Sequence, residues 1–296
     1  MGMGRRKTLA QSRLRAHIGA SMTAQLARLD DRALIRIGGP DWRSFLQGLL
    51  TQDVVTLEAG DCRFAAMLSP QGKLLFDLFL HGTPDGAVLD VQAGQRDALV
   101  QRLTIYRLRA KVEIAPLPGA AFALWGAQSA GVGWTADPRL PELGFRAVGE
   151  TPPAAPGAEQ SDADAYEAHR LALGAPDPAR DCTPDKTYPI EADFDLLNGV
   201  DFQKGCFVGQ ETTSRMKRRG PVKSRMVPIA FEGEAPAFGA EVLAGTLRAG
   251  EVLSGRAGRA MALLRLDRAA QGGLTVDGRP VTLAPPPWIT LPSAGE

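Results

Sequence analysis

Lys204-Gly205-Cys206-Phe207-Val208-Gly209-Gln210-Glu211 decides how this chain is read. The stretch holds one of three cysteines, sets a glycine on either side of it, and follows with a carboxamide and a carboxylate. Glycine lets a backbone take φ > 0 or approach a ligand closely. Gln210-Glu211-Thr212-Thr213-Ser214 reads as the first turn of a short helix, with Glu211 at its positive end. Cys206 then precedes a helix N-terminus with Lys204 nearby, a setting that favours the reactive thiolate. Most lone cysteines are small buried hydrophobes; the glycines and charge around this one weigh toward a site. A basic run, Arg215-Met216-Lys217-Arg218-Arg219, comes next and stops at Gly220-Pro221, a natural boundary.

Beyond that boundary short apolar runs alternate with closely spaced glycines. Met226–Phe231, Glu241–Ala244, Gly250–Ser254, Ala260–Leu266, Thr275-Val276 and 280–283 have the pattern of a small antiparallel barrel. Upstream, Ala33–Ile37 alternates as a strand, and Pro40-Asp41 opens a helix through Trp42, Phe45, Leu46, Leu49 and Leu50. Arg63–Leu68 and Leu74–His81 read as a hairpin turned by Ser69-Pro70-Gln71-Gly72-Lys73. Asp77 interrupts the apolar returning strand, so it lies either on a solvated face or in a ligand pocket. A strand over 87–91, a helix over 95–108, and strands over 111–114 and 121–125 follow. Residues 151–157 form a loop, and Asp162 caps a helix ending at Gly174. The stretch 175–193 is long, irregular and rich in proline and aspartate.

Bulk properties exclude several classes. At 296 residues the chain suits two or three packed modules, and 44% hydrophobic with 23% charged content is that of a globular protein. A net charge of +1 gives no case for DNA or membrane binding, and no apolar stretch approaches the ~20 residues of a membrane span. Cys62, Cys182 and Cys206 are too scattered for a disulfide framework, and His17, His81 and His169 form no metal motif with them. No acid precedes Asp30, while Arg5, Arg6, Lys7, Arg13 and Arg15 crowd the start. Residues 1–21 are expected to be a disordered basic tail, sequence upstream of a true start at Met22, or a presequence directing the protein to the mitochondrial matrix. The Ala/Gly/Arg-rich texture favours a bacterial cytoplasmic protein.

With these residues laid out, the chain resembles the YgfZ branch of the folate-dependent T-protein (GcvT) family. Phe45-Leu46-Gln47-Gly48 with Thr51-Gln52-Asp53-Val54 is similar to the family's first helix and exit, and Leu68–Lys73 to its hairpin. Lys204–Glu211 matches the branch's lysine–glycine–cysteine motif, and Val252-Leu253-Ser254 with Ala262–Arg265 resembles its barrel. The resemblance implies an α+β fold: a folate-binding ring of mixed sheets and helices over 22–219, in two subdomains meeting near the 150–161 loop. A C-terminal antiparallel β-barrel would cover 220–291. It also implies tetrahydrofolate, or a one-carbon derivative, as cofactor and iron–sulfur proteins, including tRNA-thiolating enzymes, as clients. Cys206 becomes the catalytic thiol; Asp77, Lys204, Gly205, Gly209, Gln210, Glu211 and Arg215 become folate contacts.

Two alternatives stay open. An aminomethyltransferase is disfavoured because Phe76-Asp77 supplies one acid where those enzymes tend to have a pair, and Ala172 stands where they carry another. An RNA- or protein-binding module with a vestigial cleft would use the basic segment 215–225, although no aromatic residue interleaves it for base stacking.

Overall fold

The computed structural model describes residues 23–218 and 222–291, so the expectations for residues 1–21 and the Gly220-Pro221 boundary lie outside the described residues. Three sheets organise the described residues. The first joins β1 (Gln25–Leu29), β7 (Ala120–Trp125), β8 (Thr135–Ala136), β9 (Phe145–Gly149) and β10 (Glu159–Ser161) in the order β10-β1-β7-β9-β8. Its β1–β10 pair is parallel and the rest antiparallel, so the sheet is mixed.

The second sheet joins β2 (Arg32–Gly38), β3 (Cys62–Leu68), β4 (Leu74–Thr83), β5 (Gly86–Gln92) and β6 (Glu113–Leu117) in the order β3-β4-β5-β2-β6. Both of its faces are covered, which is why its strands read as near-continuous apolar runs. Successive side chains point to opposite faces. Ala65, Met67, Leu78, Leu80, Ile35 and Ile37 therefore meet α1 (Trp42–Gln47) and α2 (Arg96–Arg107) in one core. Phe64, Ala66, Leu68 and Phe79 face a second core shared with Leu171, Phe194, Phe207 and the barrel residues Met226, Leu253 and Met261. That second core joins the N-terminal ring to the C-terminal sheet.

The third sheet is antiparallel throughout. It comprises β11 (Ser224–Ala230), β12 (Glu241–Ala244), β13 (Leu247–Arg256), β14 (Arg259–Arg265), β15 (Leu274–Val276), β16 (Arg279–Pro280) and β17 (Thr282–Leu283), ordered β16-β15-β12-β13-β14-β11-β17. Its inward residues, among them Val227, Ile229, Val242, Val252, Leu264 and Val276, form their own core.

The remaining α-helices among the described residues are α3 (Ala163–Ala172), α4 (Pro178–Asp181), α5 (Gln210–Arg218) and α6 (Leu266–Ala269). Asp162 caps α3 as its sequence position predicts, accepting from the Ala165 N–H at 2.8 Å. Two readings change. The first helix closes at Gln47, because Leu49 and Leu50 turn back toward β3 through a Leu50–Met67 bridge. The 175–193 stretch is anchored, not loose: it contains α4 and places the buried Asp181 beside Arg170 at 3.0 Å.

Candidate functional site

The motif is a bend held from several sides, and each hold traces to a residue type. Asp201 Oδ1 accepts from the Gln203 and Lys204 N–H groups at 2.7 and 3.2 Å, starting the bend. Lys204 then turns inward. Its Nζ donates to the carbonyl oxygens of Gln47, Leu50 and Gln52 at 2.8, 2.6 and 2.9 Å, and so caps the C-terminal end of α1. These are carbonyls that a helix end leaves without intrahelical partners. Burial pulls the Lys204 pKa down to about 8, while Asp53 and Asp201 pull it up. The sequence reading sets Lys204 against a folate and beside the thiol. Instead its donors are spent on backbone oxygens.

Phe207 inserts into the core between ring and barrel, and its N–H donates to Gln210 Oε1 at 3.2 Å. Gln210 thus reaches back to close the entry of α5, in the manner of a capping box. The Val208 N–H donates to the Gly48 carbonyl at 3.1 Å. Gly209 has φ +83, and a Cβ there would stand 2.6 Å from the Ser69 carbonyl oxygen. Opposite it Gly72, at φ +82, would place a Cβ 2.9 Å from the Gly209 carbonyl oxygen. The hairpin and the motif therefore touch glycine to glycine. Gly205 has open space where a side chain would go, so no close contact or positive φ calls for glycine there.

The outcome is that Cys206 is exposed at the crest of a fixed bend. Cys62 and Cys182 differ: burial pushes both thiols up, Cys182 well above the usual range. Along α5, Glu211, Ser214, Arg215 and Arg218 recur at helical spacing and, with Gln210, line one open groove. The basic run is divided in its duties. Lys217 Nζ donates to Asp195 at 3.0 Å, and the buried Arg225 binds Asp193 and Asp195 at 2.8 Å each.

Asp77 lies elsewhere. It is 3% exposed, on the β4 face shared with Phe79, in a layer of ion pairs between the two five-stranded sheets. Arg32 Nη1 donates to Asp77 at 3.1 Å and its Nε to Asp90 at 2.7 Å. Arg146 of β9 reaches the other oxygen of Asp90 at 2.5 Å and lies 3.8 Å over the Phe79 ring. Arg139 pairs with Asp137 at 2.8 Å, and Arg170 with Glu167 and Asp181. Burial pushes the Asp77 carboxyl up against the pull of Arg32. Burial alone would raise Asp90 too, but Arg32 and Arg146 together hold it well below the usual carboxylate range.

The cavity lined by Arg32, Asp77, Phe79, Arg139, Arg146 and Tyr166 measures about 40 Å³. That is room for a water molecule or so; pockets for small organic ligands run to several hundred Å³. The acids that would accept a pterin's ring N–H groups already have arginine partners. A tetrahydrofolate does not fit this interior as it stands. None of the motif residues lines the cavity, so the expected meeting of Asp77 with Cys206 is not made. The arginines were the missed residues. Their only sequence signal is a strong cation at the edge of, or inside, an apolar strand, as in Phe145-Arg146-Ala147.

Comparison with known proteins places this geometry. A family description of the CAF17 C-terminal beta-barrel domain matches residues 223–291. The crystal structure of the glycine cleavage system aminomethyltransferase T from Bartonella henselae covers 93% of this chain, and 89% of its own length, with a TM-score of 0.72. At 20% identity that likeness is one of fold, and it bears out the GcvT-like α+β architecture. The iron–sulfur cluster assembly factor IBA57 of Homo sapiens, named as mitochondrial, is 33% identical over 242 residues, covering 72% of this chain and 68% of the relative. Its Mus musculus counterpart is 31% identical, covering 80% and 76%, and the Mycosarcoma maydis homologue 32% identical, covering 71% and 58%. With relatives 33% and 31% identical and matched over more than two thirds of both chains, the chain belongs to the family of IBA57 iron–sulfur cluster assembly factors.

Proposed function

We propose that this chain is an accessory factor for the assembly or repair of iron–sulfur proteins, of the YgfZ type, working through the thiol of Cys206. tRNA-thiolating enzymes are among its expected clients. One observation carries the reading: the thiol is exposed on a bend whose backbone is fastened before any partner arrives. A sulfur presented that way needs little further ordering on contact. Among the described residues no group of His, Cys, Asp and Glu is placed to hold a metal ion. Iron held at Cys206 then takes its remaining ligands from outside the described residues. The names of the relatives support the iron–sulfur half of the proposal, and their mitochondrial assignment favours the matrix over a bacterial cytoplasm.

No step here is routed through a folate. Calorimetry with tetrahydrofolate and its formyl and methylene derivatives should give no heat of binding; binding that Asp77→Ala removes would restore the pterin site to the ring. Aminomethyl transfer has less support still, since Asp77 is committed to Arg32.

In cells lacking their own factor, Cys206→Ala should leave an endogenous iron–sulfur enzyme at the level of an empty vector. The same variant should melt like the wild type, because exposed side chains of this kind contribute within about 0.5 kcal/mol. Full rescue by Cys206→Ala would refute the thiol's role and favour a protein- or RNA-binding module.

A further inference from the structure

The turn that ends α2, Arg107-Leu108-Arg109-Ala110, takes no part in the thiol bend or the ring interior. The Ala110 N–H donates to the Arg107 carbonyl at 2.8 Å, which sets Leu108 at the second position of a four-residue turn. Its φ of 45° and ψ of −108° approach those of a type II′ turn, where glycine dominates because a Cβ is crowded. Leu108 is also 87% exposed, and Ile105, three residues earlier on α2, is 64% exposed. A leucine held at positive φ and turned into water is unfavourable twice over, and its side chain gains no burial in return. Strain held in place by its surroundings clusters at sites of function.

Charge singles out the same place. Arg107, Arg109 and Lys111 line one open groove with Leu108 and Glu113, and Arg102 lies one helical turn before Ile105. None of these four cations makes an ion pair among the described residues, in a chain whose net charge is +1. The turn is pinned as well. Asp41 Oδ2 accepts from the Lys111 N–H at 2.8 Å, and Gly39 packs so closely that a Cβ would lie 2.5 Å from the Lys111 carbonyl oxygen.

We propose that the 102–111 segment is a protein-docking surface. Leu108 enters an apolar pocket on a partner, and carboxylates on that pocket's rim face the four cations. An RNA would meet the cations but has no use for the leucine, and the one aromatic ring of the segment, Tyr106, packs against the core instead of standing free for stacking. Two aliphatic side chains are too little apolar surface to hold a bilayer. That the partner acts in iron–sulfur maturation rests on the function proposed above; the surface itself does not.

The test uses the full chain in cells lacking their own factor, with a photo-reactive side chain at Thr104 and, as control, at the fully exposed Val132. Leu108→Gly should raise the thermal midpoint by roughly 2–4 °C, because it relieves the turn. It should also lower the endogenous iron–sulfur enzyme's activity about tenfold, the loss expected of one anchoring side chain. An acidic protein should crosslink at 104 and not at 132, and the adduct should vanish in Leu108→Gly and in Arg107→Glu/Arg109→Glu. Wild-type enzyme activity with Leu108→Gly, an adduct that survives charge reversal, or the absence of any adduct specific to 104 would each overturn the proposal. So would co-sedimentation of the purified chain with phosphatidylcholine–phosphatidylserine vesicles that Leu108→Gly abolishes. Cys206→Ala should keep the adduct while losing maturation, so the docking surface and the thiol's role fail separately.

Discussion

Replacing Lys204 by methionine keeps the aliphatic stem and deletes the ammonium that binds the carbonyls of Gln47, Leu50 and Gln52. Hydrogen bonds from a charged donor contribute about 1.5 kcal/mol each at the low end. Desolvation opposes them: burial brings the Lys204 pKa from 10.5 to about 8, even with Asp53 and Asp201 pulling upward. At face value that gap is about 3 kcal/mol, and roughly half of it survives screening, because the side chain still touches water. Lys204→Met should therefore cost about 2–3 kcal/mol, confined to the 201–209 bend. The reporter is the Val208 amide, bonded to Gly48 at 3.1 Å. Its hydrogen exchange should quicken by about 30-fold or more if the bend opens on its own. Alkylation of Cys206 should change far less, since that sulfur is already exposed. Arginine should rescue only in part, because a planar fork cannot meet three carbonyls converging on one point. If Val208 exchanges as slowly in Lys204→Met as in the wild type, the carbonyls are not what holds the bend.

The two motif glycines should respond oppositely. Gly209→Ala forces a Cβ to 2.6 Å from the Ser69 carbonyl oxygen at positive φ and should cost about 2 kcal/mol or more in urea denaturation, whereas Gly205→Ala should be near neutral. Asp193 supplies the pH dependence: burial raises its carboxyl to about 8 against the pull of Arg225, and its Oδ2 has no partner. The folded chain then binds that proton more tightly than the unfolded one, so the stability it brings is full below about pH 4 and is lost as pH rises toward 8. Asp193→Asn should flatten that slope, read from denaturation midpoints across this range. Asp90→Asn should cost about 3–5 kcal/mol, because Arg32 and Arg146 both lose the charge they share.

Features set by local chemistry were legible in the sequence. The hairpin turn at 69–73, the Asp162 cap and the barrel strand Glu241–Ala244 stand where the residues place them. The strands β1, β9 and β10 were not legible. They are short, and what makes them strands is pairing with partners far along the chain, as when β1 joins β7 and β10. In the motif, the positive φ and close backbone approach that the sequence suggests at Gly209 are present, and Cys206 is exposed on the bend beside it. What the sequence hides is the backbone work of two motif side chains: Lys204 Nζ donates to three carbonyls and Gln210 Oε1 accepts from the Phe207 N–H. The sequence leaves Asp77 open to either a solvated face or a pocket. The arginine that decides the matter, Arg32, sits 45 positions upstream, and only the sheet brings the two together.

Helix α5 carries one further consequence. Its leading end abuts the 69–72 hairpin through Gly209, and its trailing end is tied by Lys217 to Asp195, which also grips Arg225 at the start of the barrel. The short rod that follows the sulfur is thus footed on two separate bodies. Hairpin and barrel side hold opposite ends of the same nine residues, and loosening either frees one end of the helix that leads out of the sulfur-bearing bend.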